Sequence, residues 1–214
     1  QAVRLIFVDP SQPQIESYQC RIQPLEVVLR IRAPYRHFAL YETALLGMLS
    51  SETGWATAAA ACVVAAGEVP VICFGARHVH PQVSARMEYA AVVGGCSGCA
   101  TPAGAELAGK TASGTLPHAL ILAMGDTLVA TQAFDRHIDP EVRRIVLVDT
   151  FMHEAEESVR VANAMGERLW GVRLDTPSEL GGVTVELVRE VRERLDQSGH
   201  GHVKTFVSGG LDPQ

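Results

Sequence analysis

The chain has little charge and no excess of positive sign: 20% of its 214 residues are charged, with 18 Lys and Arg against 24 Asp and Glu, for a formal net charge of -6. A nucleic-acid-binding protein normally carries a basic stripe, so that class is excluded, and an anionic ligand has to be drawn by local cations such as Arg77 and Arg173. Long apolar runs are lacking too. The Ala-rich segment from Ala56 to Gly67 falls short of the roughly 20 consecutive apolar residues of a membrane span. The opening run Val3–Val8 is short, broken by Arg4 and without a small-residue cleavage site, unlike a secretory leader. Cysteines number five, an odd count without an export signal, which predicts reduced thiols in a cytoplasmic protein rather than a disulfide framework. No heptad, solenoid repeat or low-complexity tract is present. What remains, 47% hydrophobic, supplies the core of an enzyme-sized globule. The chain starts at Gln1 and stops just after a strand-like run and a Gly pair, so it is expected to be part of a larger protein.

Period and punctuation divide the chain. Glu26–Arg32 is β-branched and ends in a Pro turn, the pattern of a strand, and the Gln-rich residues before it read as part of a small separate module. From Phe38 to Gly67 apolar residues recur at helical spacing, predicting two helices, the second over Ala56–Ala66. Beyond Val69, apolar runs at Pro70–Phe74, Val92–Cys99, Thr111–Thr115, Arg144–Val148, Leu169–Leu174 and His202–Val207 alternate with helix-like segments at Pro81–Val93, Pro102–Leu107, Ala119–Phe134, Glu154–Met165 and Val183–Leu195. That alternation predicts an α/β fold with parallel strands buried on both faces, a β/α barrel in which chemistry collects at the carboxyl ends of the strands.

Polar residues cluster at those ends. In Ser113–Leu120 a Gly, a Thr and a His adjoin a helix start, where N–H groups hold anions and an imidazole exchanges a proton or a phosphoryl group; the alternative is that His118 simply packs beside Pro117. Arg77 follows Phe74 and Gly75, so a flat ring can lie on the aromatic while the guanidinium grips a carboxylate or phosphate with two hydrogen bonds, unless it is a surface Arg after a core Phe. Asp149 and Asp175 each follow an apolar strand. They suit Mg²⁺ or sugar hydroxyls, or else N-cap the following helices. Cys96-Ser97-Gly98-Cys99 is a lone CxxC and reads as small residues at a crowded strand end. Gly209-Gly210, after Ser208, permits close backbone approach to a ligand, or a common turn.

Taken together, Tyr41–Gly47, Phe74–Arg77 with His80-Pro81, Gly114–Leu120, Leu147–Phe151, Gly171–Pro177 and Phe206–Asp212 resemble the nicotinate phosphoribosyltransferase family, in its shorter archaeal and bacterial branch. The resemblance runs in order from Glu26 to the end. It implies an irregular parallel β/α barrel of the type II phosphoribosyltransferase kind with part of a smaller α/β sandwich domain. Residues 1–37 would be part of the sandwich, 38–69 a helical linker and 70–214 an incomplete barrel. It implies an ATP-dependent ligase and pentosyltransferase of NAD synthesis or salvage, making nicotinate mononucleotide and pyrophosphate from nicotinate and phosphoribosyl pyrophosphate. Mg²⁺ would be the cofactor and ATP a co-substrate, in a homodimer or higher homo-oligomer.

The implied roles follow residue by residue. Phe74 stacks on the pyridine, and Arg77 lies near the carboxylate or donor phosphate. Arg173 and Asp175 sit by base and ribose, and Asp149 faces the Mg²⁺-pyrophosphate side as a candidate metal ligand. His118 is the phosphorylated histidine, and His78, Thr115, Ser208, Gly209 and Gly210 complete the substrate-binding set. Two departures bear on the base: His78 stands where the family usually has a second Arg, and Ala100-Thr101 where it has Ser-Asn. A relative acting on another pyridine or nitrogen base, and a non-catalytic homologue, are the competing readings.

Overall fold

The structure, a computed structural model, describes residues 34–151 and 153–213 together with Leu25, Leu29 and Ile31. The strand expected over Glu26–Arg32 and the module before it fall almost wholly outside the described residues. The chain divides into two compact units, one running to Ser113 and including Pro213, the other Gly114–Asp212.

In the first unit α1 (Glu42–Ala66) is a single 25-residue helix rather than the two expected. The polar stretch around Gly54 does not break it. Ser51 Oγ donates to the Gly47 carbonyl at 2.8 Å and Thr57 Oγ1 to the Thr53 carbonyl at 2.7 Å, so the hydroxyls are satisfied on the helix itself. The short strand β1 (Ile72–Cys73) leads to α2 (Pro81–Val93), then to β2 (Gly98–Cys99), which pairs with β1 in parallel, and to α3 (Pro102–Leu107). Both helices start where capping chemistry dictates. Pro81 and Pro102 occupy the first turns, His80 Nδ1 accepts from Gln82 N at 3.3 Å, and Thr101 Oγ1 accepts from Gly104 N at 3.1 Å. The ladders of β1 and β2 are shorter than the apolar runs that contain them; in the run to Cys99, Val92 and Val93 end α2 and Gly94 and Gly95 form a turn.

In the second unit Leu116 bridges to Val146 in parallel, and the chain continues through α4 (His118–Met124), α5 (Thr127–His137), β3 (Arg144–Leu147), α6 (Glu154–Met165), β4 (Leu169–Leu174), α7 (Val185–Gln197) and β5 (Lys204–Val207). Residues 111–115 form no strand; only Leu116 joins the sheet. The single helix expected over Ala119–Phe134 is two, because Gly125 ends α4 in the left-handed region (φ 72°) and Asp126 caps α5 by accepting from Val129 N at 2.9 Å.

Strands β3, β4 and β5 lie side by side and parallel, as the alternation predicts. The α6 and α7 crossovers cover one face of the sheet: Val146, Val148, Val172 and Leu174 are buried with Val161, Ala162, Val191 and Leu195 of the helices. Arg144 lies opposite Leu169 but Ile145 opposite Gly171, so Trp170 is the extra residue of a β-bulge. The Trp170 ring sits 5.2 Å from that of Phe206, with the Arg143 guanidinium 4.2 Å above it. This is the parallel α/β architecture expected. Among the described residues no helix is long and apolar enough to cross a membrane.

Candidate active site

Parallel strands deliver their carboxyl ends to one edge. In the second unit that edge carries Thr115, His118, Asp149, Arg173, Asp175 and Ser208. The hydrogen bonds between strands continue past β3 and β5 to fix those residues: Val148 N donates to Arg173 O at 3.2 Å and Ser208 N to Leu174 O at 2.9 Å.

His118 opens α4, and its Nε2 lies 3.0 and 3.2 Å from the two carboxylate oxygens of Asp149. The Asp149 side chain is 2% exposed and that of His118 37%, so a buried carboxylate orients an imidazole that solvent reaches. A carboxylate only accepts, so Nε2 carries a hydrogen, and the neutral form of the ring so held has its lone pair on Nδ1. Asp149 therefore does not cap α6. That helix begins after His153, which makes no side-chain capping bond, and three glutamates in its first turn complement its dipole.

The second group is built around Arg173. On β4, Arg173 is flanked by fully buried Val172 and Leu174, which face the helices, so its own side chain leaves from the opposite face. Its Nε donates to Ser208 Oγ at 2.8 Å, Nη1 to Thr115 Oγ1 at 3.2 Å, and Nη2 pairs with Asp175 Oδ2 at 3.1 Å. Ser208 Oγ is 2.6 Å from Asp175 Oδ1. Asp175 thus serves Arg173 and Ser208 and caps no helix. Gly209 (φ 88°) passes so close to Asp175 that a Cβ would stand 3.1 Å from its carbonyl oxygen, whereas Gly210 (φ 77°) faces open space. At the same edge Thr176 Oγ1 donates to Glu154 Oε1 at 2.8 Å, tying the end of β4 to the start of α6.

Phe74, Arg77 and His78 belong to the first unit, where Phe74 closes β1 and the 3-10 turn Gly75–His78 carries the other two. Phe74 is 37% exposed. The sequence pattern does not single out Glu88, yet it is fully buried on α2 and holds the end of β2: its carboxylate accepts from Ala100 N at 3.0 Å, Thr101 N at 3.0 Å and the Thr101 hydroxyl. The only sign in the sequence is a carboxylate among the apolar residues of α2. Cys96 and Cys99 are buried free thiols, and desolvation pushes Cys96 up to about 11, which suits inert packing. Among the described residues, no three His, Cys, Asp or Glu side chains gather as a protein-held metal requires.

Residues 55–214 match the family described as "Quinolinate phosphoribosyl transferase, C-terminal domain", and the chain belongs to that family. It is 32% identical over 201 residues to nicotinate phosphoribosyltransferase pncB1 of Mycobacterium tuberculosis, covering 88% of this chain and 42% of the relative. It is 31% identical over 193 residues to nicotinate phosphoribosyltransferase of Bacillus subtilis, covering 87% and 38%. Among solved structures, nicotinate-nucleotide pyrophosphorylase from Pyrococcus furiosus is similar with a TM-score of 0.77 and 50% identity, over 82% of this chain and 45% of that one. NadC from Streptococcus pyogenes shares the fold, with a TM-score of 0.70 at 20% identity over 96% and 63%. The chain spans less than half the length of the curated relatives it matches.

Proposed function

We propose that this chain is the greater part of the catalytic domain of a pyridine-base phosphoribosyltransferase of NAD biosynthesis. In this reading it joins nicotinate to phosphoribosyl pyrophosphate, forming nicotinate mononucleotide and pyrophosphate, with ATP coupled through His118. The observation that carries the reading is the His118–Asp149 pair, an accessible imidazole held by a buried carboxylate at a strand end. Attack of Nδ1 on the γ-phosphorus forms an N–P bond and releases ADP. The Asp149 carboxylate offsets the positive charge that develops on the ring. Arg173 and Asp175 serve the anionic donor and its ribose, and Phe74 with Arg77 offers a ring face and a two-pronged cation for a pyridine carboxylate.

Mg²⁺ fits this donor set only as an ion that arrives on the pyrophosphate. Both Asp149 oxygens are shared with His118, and those of Asp175 with Ser208 and Arg173. One carboxylate oxygen at the edge, with water and phosphate oxygens, matches the usual coordination of the ion. Bound there, it would neutralise the leaving pyrophosphate.

The names of the curated relatives support nicotinate, while the family description supports quinolinate as a second reading. The full-length protein, incubated with the donor, Mg²⁺ and nicotinate, nicotinamide or quinolinate, with and without ATP, separates them. Nicotinate mononucleotide from nicotinate, accelerated by ATP with acid-labile phosphate on the protein, is expected. Turnover of quinolinate with carbon dioxide release and none of nicotinate would overturn the reading.

A further inference from the structure

Ser208 enters the candidate site as a substrate-binding residue by resemblance, but its hydroxyl is already committed. An alcohol has one hydrogen and two lone pairs. The Ser208 hydrogen has two acceptors in reach, Asp175 Oδ1 at 2.6 Å and the Leu174 carbonyl at 3.1 Å, and the shorter, charged one takes it. A lone pair receives Arg173 Nε–H at 2.8 Å. The backbone that carries the hydroxyl is held in place, because the Ser208 N–H continues the β4–β5 ladder and Gly209 follows close against Asp175.

We propose that Ser208 is a positioning residue that acts through the Arg173–Asp175 pair, with Thr115 as the second tether of the same guanidinium. The pair is only partly screened, with side chains 17% and 24% exposed. An Arg–Asp contact of this kind swings unless something fixes its plane. Ser208 bonds both members at once, joining Nε of one to Oδ1 of the other, while Thr115 restrains Nη1 from beyond β3. Together they aim the guanidinium from both sides. A ligand of Arg173 then meets a cation already oriented, and Ser208 contributes to binding without touching that ligand. The inference rests on the proposed phosphoribosyl-transfer site.

The test is a double-mutant cycle in the full-length protein, Ser208→Ala against Arg173→Lys. It is read by calorimetric Kd for phosphoribosyl pyrophosphate and for the base, with kcat and KM alongside and with Ser208→Thr as the conservative variant that keeps the hydroxyl. Ser208→Ala should weaken whichever ligand Arg173 holds by about tenfold, the worth of one charge-assisted hydrogen bond. In the Arg173→Lys background the same change should cost less than twofold, since the contact it supports is gone. Ser208→Thr should recover most of the loss; Ser208→Cys, nearly isosteric but a weak donor, should not, and it reports the same contrast where the Thr methyl is not accommodated. Additive losses, or a Ser208→Ala protein with unchanged Kd and kcat, overturn the inference. Wild-type protein that turns over another base and not nicotinate refutes the function reading alone, and the cycle is then decided on that base.

Discussion

Replacing Asp149 by Asn tests the pair at the centre of the proposed chemistry while keeping the volume of the side chain. The carboxylate is 2% exposed and lies within 3.2 Å of His118 Nε2 through both oxygens. An amide in its place removes the charge and lets its NH₂ face the ring, which favours the tautomer with the hydrogen on Nδ1, the wrong one for attack. A charge-assisted hydrogen bond in a shielded place is worth about 1.5–3 kcal/mol, so phosphorylation should slow by roughly 10- to 150-fold. Asp149→Asn in the full-length protein should keep its far-ultraviolet circular dichroism, form labelled phosphoprotein from γ-labelled ATP at that reduced rate, and retain slow ATP-independent synthesis. His118→Ala, as the control, should form none. Wild-type phosphorylation kinetics in Asp149→Asn would refute the reasoning, because the buried carboxylate would then be structural only.

Asp126→Ala removes both the α5 cap and a salt bridge to Arg160, and should cost about 1–2 kcal/mol by urea unfolding. The Arg160 hydrogen bond, and then the Val129 N–H, hold the Asp126 carboxyl below its ordinary range. A depressed folded-state pKa contributes stability that is full above the unfolded value, near 3.8, and lost as pH falls through the folded one. The wild-type advantage should therefore be flat at neutral pH and shrink below pH about 4; an advantage that grows on acidification would contradict the assignment. Gly171→Ala places a Cβ 2.7 Å from the Phe206 ring and 2.9 Å from the Lys204 carbonyl oxygen. The backbone atom cannot move without opening the β4–β5 ladder, so a loss of about 1–3 kcal/mol is expected, and an unchanged urea midpoint would show that β5 gives way freely. Cys96, raised by burial to about 11, should be about one part in a thousand thiolate at pH 8 and resist iodoacetamide until urea unfolds the protein. Alkylation of Cys96 in the native state, read by mass spectrometry, would contradict that.

Some elements were readable because their signals are local. The bounds of α2, α3 and α6 follow from the sequence to the residue, since Pro81, Pro102 and the glutamates after His153 mark their starts and Gly94 and Gly166 follow two of their ends. The Gly125-Asp126 break between α4 and α5 is just as local, but it lies inside a continuous apolar period that hides it. The short ladders of β1 and β2 were not readable, because apolar runs record burial and not pairing. At the site, which strand ends bear polar groups is legible. Which groups meet is not: His118 finds Asp149 31 positions on, and Arg173 finds Ser208 and Thr115 at separations of 35 and 58. Such contacts are decided by strand order, which no short window of sequence contains. Glu88 stayed hidden because two of its partners are backbone N–H groups, which any sequence supplies, and the third, the Thr101 hydroxyl, lies 13 positions on.

The double tether of Arg173 also moves an entropic cost from one event to another. A free arginine side chain gives up about 2 kcal/mol of rotamer freedom when it is immobilised. With Nε held by Ser208 and Nη1 by Thr115, that freedom is surrendered while the chain folds, before any ligand arrives. Binding to such a cation should carry a small unfavourable entropy and a rapid approach to its final geometry. A lysine in its place, with one flexible ammonium and no planar fork, would have to be ordered anew at every encounter.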